Sequence, residues 1–104
     1  MKMQAIVLEQ FGGVEHLKKR EWSVPDPGPE EVRVRIRAAS VNPVDFKIRK
    51  GFLGGQPPMV LGVDLSGVVD AVGDGVAGFS PGDPVWGFVD PEGPASNGSH
   101  AEYV

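Results

Sequence analysis

The stretch Val32-Arg33-Val34-Arg35-Ile36-Arg37-Ala38 alternates apolar and charged side chains without a break. Successive side chains of a strand point to opposite faces, so this spacing predicts a strand with Val32, Val34, Ile36 and Ala38 on a core and an arginine stripe in water. Phosphate binding is one use of such a stripe, and a solvated sheet face is the commoner one. Valine outnumbers leucine sixteen to five. Branching at Cβ suits a pleated sheet and restricts rotamers in a helix, so the chain leans to β throughout.

Outward from that strand, Met3 to Leu8 is mostly apolar and bounded by Gly12-Gly13, as expected of a largely buried strand. Leu17 to Val24 reads as a more polar one, ended by Pro25-Asp26-Pro27-Gly28-Pro29, where the prolines remove backbone donors and fix turns. Met59 to Val72 is expected as a strand interrupted by Gly62 and Gly67, and Val85 to Val89 as another after Pro81-Gly82-Asp83-Pro84. Residues 52–58 and 90–99 read as loops, and Ala101 to Val104 begins a further strand. A helix of about two turns is expected between Asn42, a capping residue, and Gly51, a C-terminal stop. Pro43 suits its first position, Asp45 its positive end and Lys47, Arg49 and Lys50 its negative end.

A chain of 104 residues has room for one domain with a modest core. All ten lysines and arginines lie in residues 1–50, where seven acids accompany them, while residues 51–104 carry seven acids and no base. That asymmetry suggests two complementary faces or a face for a partner domain, and the net charge of −4 argues against nucleic-acid binding. No cysteine is present, which excludes disulfides and thiolate chemistry and fits a reducing, cytoplasmic location. The N-terminal apolar run is too short for a signal peptide or a membrane span. Asn97-Gly98-Ser99 matches a glycosylation sequon but reads as plain loop in that setting.

Gly73-Asp74-Gly75-Val76-Ala77-Gly78 matches the spacing of a dinucleotide-binding turn. A pyrophosphate needs a helix N-terminus directly after the glycines, and Phe79-Ser80-Pro81-Gly82-Asp83-Pro84 does not continue into one. These glycines are therefore expected to make turns between strands. His16 and His100 stand alone, with no partner at a zinc-ligand spacing, so both read as surface histidines and no metal site is expected.

The run from Ala39 to Gly51, Ala-Ser-Val-Asn-Pro-Val-Asp-Phe-Lys-Ile-Arg-Lys-Gly, resembles a segment of the quinone-oxidoreductase-like members of the medium-chain dehydrogenase/reductase family. Leu61-Gly62-Val63-Asp64-Leu65-Ser66-Gly67-Val68-Val69, Val72 to Val76, Gly82-Asp83-Pro84-Val85 and Ala101-Glu102-Tyr103-Val104 then follow in that family's order. The resemblance covers essentially the whole chain and implies a mainly β fold, a GroES-like, partly open β-barrel with one or two short helices. It also implies that residues 1–104 form a truncated N-terminal domain whose Rossmann partner is missing.

Zinc-dependent relatives carry a cysteine where Asn42 stands, a hydroxyl residue at Val44 and Gly-His-Glu at Gly62-Val63-Asp64. The resemblance therefore implies the zinc-free branch, which passes hydride from NADPH to a quinone or an enone. It gives Asn42 a catalytic and cofactor-binding place, as an amide near the nicotinamide or the substrate oxygen, although a helix cap explains that asparagine equally well. Lys47, where relatives often have tyrosine, is a candidate for a cofactor phosphate against the commoner solvated face. Phe46, Phe52 and Val63 are candidates for an apolar acceptor pocket, with core packing the better account of at least one phenylalanine. Alone, the chain is expected to be inactive. The competing reading is a non-catalytic interaction module whose uncovered face binds another chain or its own copy.

Overall fold

A computed structural model describes residues 1–89 and 97–104. Among these residues six strands and one α-helix follow in the order β1 (Lys2–Leu8), β2 (Leu17–Ser23), β3 (Val32–Ala39), α1 (Pro43–Arg49), β4 (Met59–Val60), β5 (Asp64–Val72) and β6 (Pro84–Phe88), with a short 3-10 helix at Val14–His16 between β1 and β2. They form two three-stranded sheets, β2-β1-β4 and β3-β5-β6, with antiparallel pairing in both.

The stretch expected as one interrupted strand from Met59 to Val72 is in fact two strands in different sheets. Gly62 sits between them at φ +103°, in the left-handed region that glycine tolerates at no steric cost, and there the chain leaves one sheet for the other. Gly67 plays a different part, lying inside β5 against the Arg35 carbonyl, where a Cβ has no room.

The C-terminal segment joins the two sheets. His100 O accepts from Ile6 N at 3.0 Å and Glu102 N donates to Gln4 O at 3.3 Å, which ties the segment to β1. Glu102 O then accepts from Ile36 N at 2.8 Å, and Val34 and Val104 exchange bonds of 2.7 and 3.0 Å, which ties it to β3. The strand expected at Ala101 to Val104 is thus present as single bridges from Ala101 to Ala5 and from Tyr103 to Arg35. Among the described residues the sheets do not close on each other, as in a partly open barrel.

Two apolar clusters make the core. Met3, Ala5, Val7, Val24 and Val60 fill the first, with Trp22, Ala101 and Tyr103 against it. Leu8, Ile48, Met59 and Leu61 form the second, flanked by Leu17 and Val44. Strand β1 alternates rather than being buried throughout, because Gln4 and Ile6 face outward from an antiparallel sheet with one wet face.

The arginine stripe is only partly solvated. Arg35 and Arg37 are exposed, but Arg33 donates from Nε to Asp70 Oδ2 at 2.8 Å and lies over the Tyr103 ring at 5.9 Å. On the opposite face Ala38 is exposed, since the register slips between Ile36 and Ala38 and carries it away from the core.

Candidate functional site

Helix α1 places the first residue of the site. Val44 and Ile48, four apart and so on one side of the helix, pack on the second core cluster and fix its orientation. Asn42 and Asp45 make a capping box at its start, with Asn42 N donating to Asp45 Oδ2 at 2.7 Å. At the other end Gly51 takes φ +87°, and Arg49 Nη1 donates to Gly12 O at 2.8 Å.

Strand β5 begins immediately beyond the crossing at Gly62, and its first residue meets the helix cap. Asn42 Nδ2 donates to Asp64 Oδ2 at 2.9 Å and to Ser40 Oγ at 3.0 Å. Ser40 Oγ in turn donates to Asp64 Oδ2 at 2.9 Å. From the C-terminal segment, His100 Nε2 reaches Ser40 O at 2.9 Å. A carbonyl oxygen only accepts, so this ring nitrogen carries a proton and donates. Four residues from three parts of the chain thus form one polar cluster beside the cap.

Of the residues singled out in the sequence, Asn42 lies in this cluster. Val63 adjoins it in the chain but is buried, at 4% exposure, and its carbonyl accepts from Val89 N at 2.6 Å. Lys47 is exposed on α1. Phe46 and Phe52 are both exposed, at 43% and 69%, so neither is core packing. Val44 and Ile48 already occupy the inward side of α1, and Phe46 lies about half a turn from Val44. Lys50 Nζ stands 5.6 Å from the Phe46 ring.

Ser40, Asp64 and His100 were not readable as site residues, and His100 is not the isolated surface histidine its spacing suggested. Phe88 is a further addition. It pairs with Asp64 across β5 and β6, and Trp86 pairs with Ser66, so both rings share the face that carries Asp64. Phe88 is 67% exposed and Trp86 87%. The faint signal for them was the alternation Val85-Trp86-Gly87-Phe88. An open groove of about 480 Å³ also runs along β6, between Val34, Leu65, Val85 and Val104 and the Pro25 to Pro27 turn.

The donor set does not suit a zinc ion. Asp64 is the one anionic group of the cluster, the nitrogen of Asn42 is turned toward it, and His100 Nε2 is committed to a backbone carbonyl. Among the described residues no three His, Cys, Asp or Glu side chains gather as metal ligands. The glycines from Gly73 to Gly78 run into turns, with Gly75 and Gly78 at φ +81° and +86°, so they offer no helix N-terminus to a pyrophosphate. Asn97 Oδ1 accepts from Trp22 Nε1 at 3.2 Å, and Ser99 is buried at 1% exposure. No helix of the described residues is long and apolar enough to cross a membrane.

Comparison with known proteins follows the same lines. The chain superposes over its full length on 32% of the human synaptic vesicle membrane protein VAT-1 homolog-like protein, with a TM-score of 0.90 and 35% identity. It is 38% identical over 105 residues to quinone oxidoreductase of Rattus norvegicus, spanning 98% of this chain and 30% of that protein. To 2-methylene-furan-3-one reductase of Solanum lycopersicum it is 40% identical over 110 residues, spanning 99% of this chain and 28% of the reductase. The chain therefore covers less than a third of the length of each of these proteins. With residues 28–104 matching the alcohol dehydrogenase GroES-like domain, the chain belongs to that family, among the quinone-oxidoreductase-like medium-chain dehydrogenases and reductases.

Proposed function

We propose that this chain is the substrate-side domain of an NADPH-dependent, zinc-independent oxidoreductase that reduces a quinone or an enone. The observation that carries the reading is the position of Asn42. The residue that stands where zinc-dependent relatives place a cysteine is held by Ser40 and Asp64 beside an exposed face that holds Phe88. Relatives named for quinone and enone-type reduction support the acceptor class.

When bound, the nicotinamide supplies the hydride. This chain's part is to orient and to shelter. Asn42 offers a fixed amide at the nicotinamide edge, and Phe88 and Trp86 give a flat acceptor an apolar wall that excludes water. A quinone or enone spreads its developing negative charge over a conjugated system, which lowers the demand for a Lewis acid. Phe46, exposed midway along α1, and Phe52, exposed just beyond its end, add apolar surface for the acceptor, while Lys47 faces a cofactor phosphate. The other wall, with most of the cofactor contacts, belongs to a Rossmann domain outside these residues, and the complete protein works in the cytoplasm.

Quinone-dependent oxidation of NADPH by the full reading frame that contains this chain tests the reading. The expected result is turnover that survives prolonged chelation and is lost in Asn42→Ala. Turnover abolished by chelator and restored by zinc would overturn it, and so would a purified, folded protein with no turnover on any quinone or enone.

A further inference from the structure

The hydrogen-bond chemistry around Asn42 fixes more than its position. An amide side chain is nearly symmetric in shape, so shape alone does not decide which of its two ends faces a neighbour. Its partners decide that. Asp64 as a carboxylate has lone pairs and no hydrogen to give, and the one hydroxyl hydrogen of Ser40 is already directed at Asp64 Oδ2. Both neighbours therefore present acceptors to Asn42. Only the Nδ2 end can face them, and it lies 2.9 Å from Asp64 Oδ2 and 3.0 Å from Ser40 Oγ.

The mutual distances among Nδ2, Oγ and Oδ2 are 2.9 to 3.0 Å, so the three atoms form a nearly equilateral triangle. A reversed amide would set Oδ1 against two acceptor oxygens, a repulsive arrangement in place of two attractive ones. The ring of His100 anchors Ser40 itself, through a bond to its main-chain carbonyl. The carbonyl end of Asn42 is thereby turned away from the carboxylate, toward the Asp45 N–H of the capping box, and its second lone pair is left for a ligand.

We propose that Asp64 is the positioning residue that sets the sense of the Asn42 amide, so that Asn42 meets the bound nicotinamide nucleotide as a hydrogen-bond acceptor through Oδ1. This deepens the reading above and rests on it. A quinone oxygen has only lone pairs to offer and gains nothing from Oδ1, whereas the carboxamide N–H or a ribose hydroxyl of the nucleotide is a matching donor. Asn42 then orients the hydride donor, and the polarisation of the acceptor oxygen falls to other groups.

The amide's sense is read directly by NMR on the isotope-labelled chain. One Asn42 Hδ2 resonance is expected downfield and slow to exchange, with an Overhauser contact to the Ser40 Hβ protons. Asp64→Asn should abolish the downfield position, because an amide at 64 donates as well as accepts, and Asp64→Glu should restore it. Unchanged Asn42 resonances in Asp64→Asn, or no contact to Ser40 in the unmutated chain, would overturn the proposal; the second measurement needs no variant to fold.

In the full reading frame, Asp64→Asn is expected to raise KM for NADPH about tenfold, the cost of one misdirected hydrogen bond, while KM for the quinone moves by less than about twofold. A rise confined to the quinone KM would overturn the acceptor role. Absence of NADPH turnover in the unmutated protein would instead defeat the oxidoreductase reading and the nucleotide as partner, with the spectrum still deciding the sense of the amide.

Discussion

His100 Nε2 donates to the carbonyl oxygen of Ser40 across 2.9 Å and sixty positions of sequence. The two residues belong to parts of the chain that share no regular element: Ser40 follows β3, and His100 lies on the segment that bridges the sheets. Their contact is where the stitching of the fold reaches the polar cluster.

Removing that donor should therefore loosen both. His100→Ala is expected to cost about 1 kcal/mol, the ordinary net worth of a hydrogen bond whose acceptor can return to water. The check is urea unfolding, with a lower midpoint and an unchanged slope. His100→Gln, which keeps an N–H, should lose less. A midpoint for His100→Ala equal to the parent's would mean the contact holds nothing.

Gly62→Ala should be the more damaging change. Its φ of +103° is costly for any residue with a Cβ, and the added carbon meets Ser99 Oγ, together with His100 Cδ2 at 2.6 Å and His100 N at 2.8 Å. Backbone strain of this kind costs roughly 1–3 kcal/mol before the clash is counted. Because Ser99 N and His100 N bond to the carbonyls of Gly62 and Leu61, the segment has no free direction in which to retreat. Loss of the amide protection of Ser99 and His100 in hydrogen exchange, at a concentration where the parent is protected, is the expected sign.

Ile48 and Phe46 separate the two sides of α1. Ile48→Ala opens a hole among Leu8, Met59 and Leu61 and should cost about 2–4 kcal/mol. Phe46→Ala removes an exposed ring and should stay within about 0.5 kcal/mol. Equal losses in thermal unfolding would contradict the orientation of the helix.

Local pattern made much of this fold legible. The alternation at Val32 to Ala38, the cap at Asn42, the stop at Gly51 and the turns around Gly73 to Gly78 all depend on residues within a few positions of one another. What pattern missed depends on long-range closure. Gly62 looked like an interruption because periodicity does not report which sheet a strand joins. Arg33 looked solvated because its partner Asp70 lies across a sheet. The cluster itself joins residues at 40, 42, 64 and 100, a set no spacing rule collects. Asn42 was found because a short motif surrounds it, and Asp64 was passed over because its importance comes from facing that motif.

The exposed face of β6 leaves a spectroscopic mark. The chain has two tryptophans, one half-buried and bonded through Nε1 to Asn97 Oδ1, the other 87% exposed on the strand that pairs with β5. In Trp22→Phe only Trp86 remains, and its emission should be red-shifted and readily quenched by acrylamide. In Trp86→Phe the remaining emission should be blue-shifted and protected. Shielded emission from Trp86 in concentrated solution that becomes quenchable on dilution would mean a second copy covers this face. Shielding that persists at every dilution would contradict the placement of β6. A red, quenchable signal throughout leaves the face uncovered, with Phe88 paired to Asp64 as its other exposed ring.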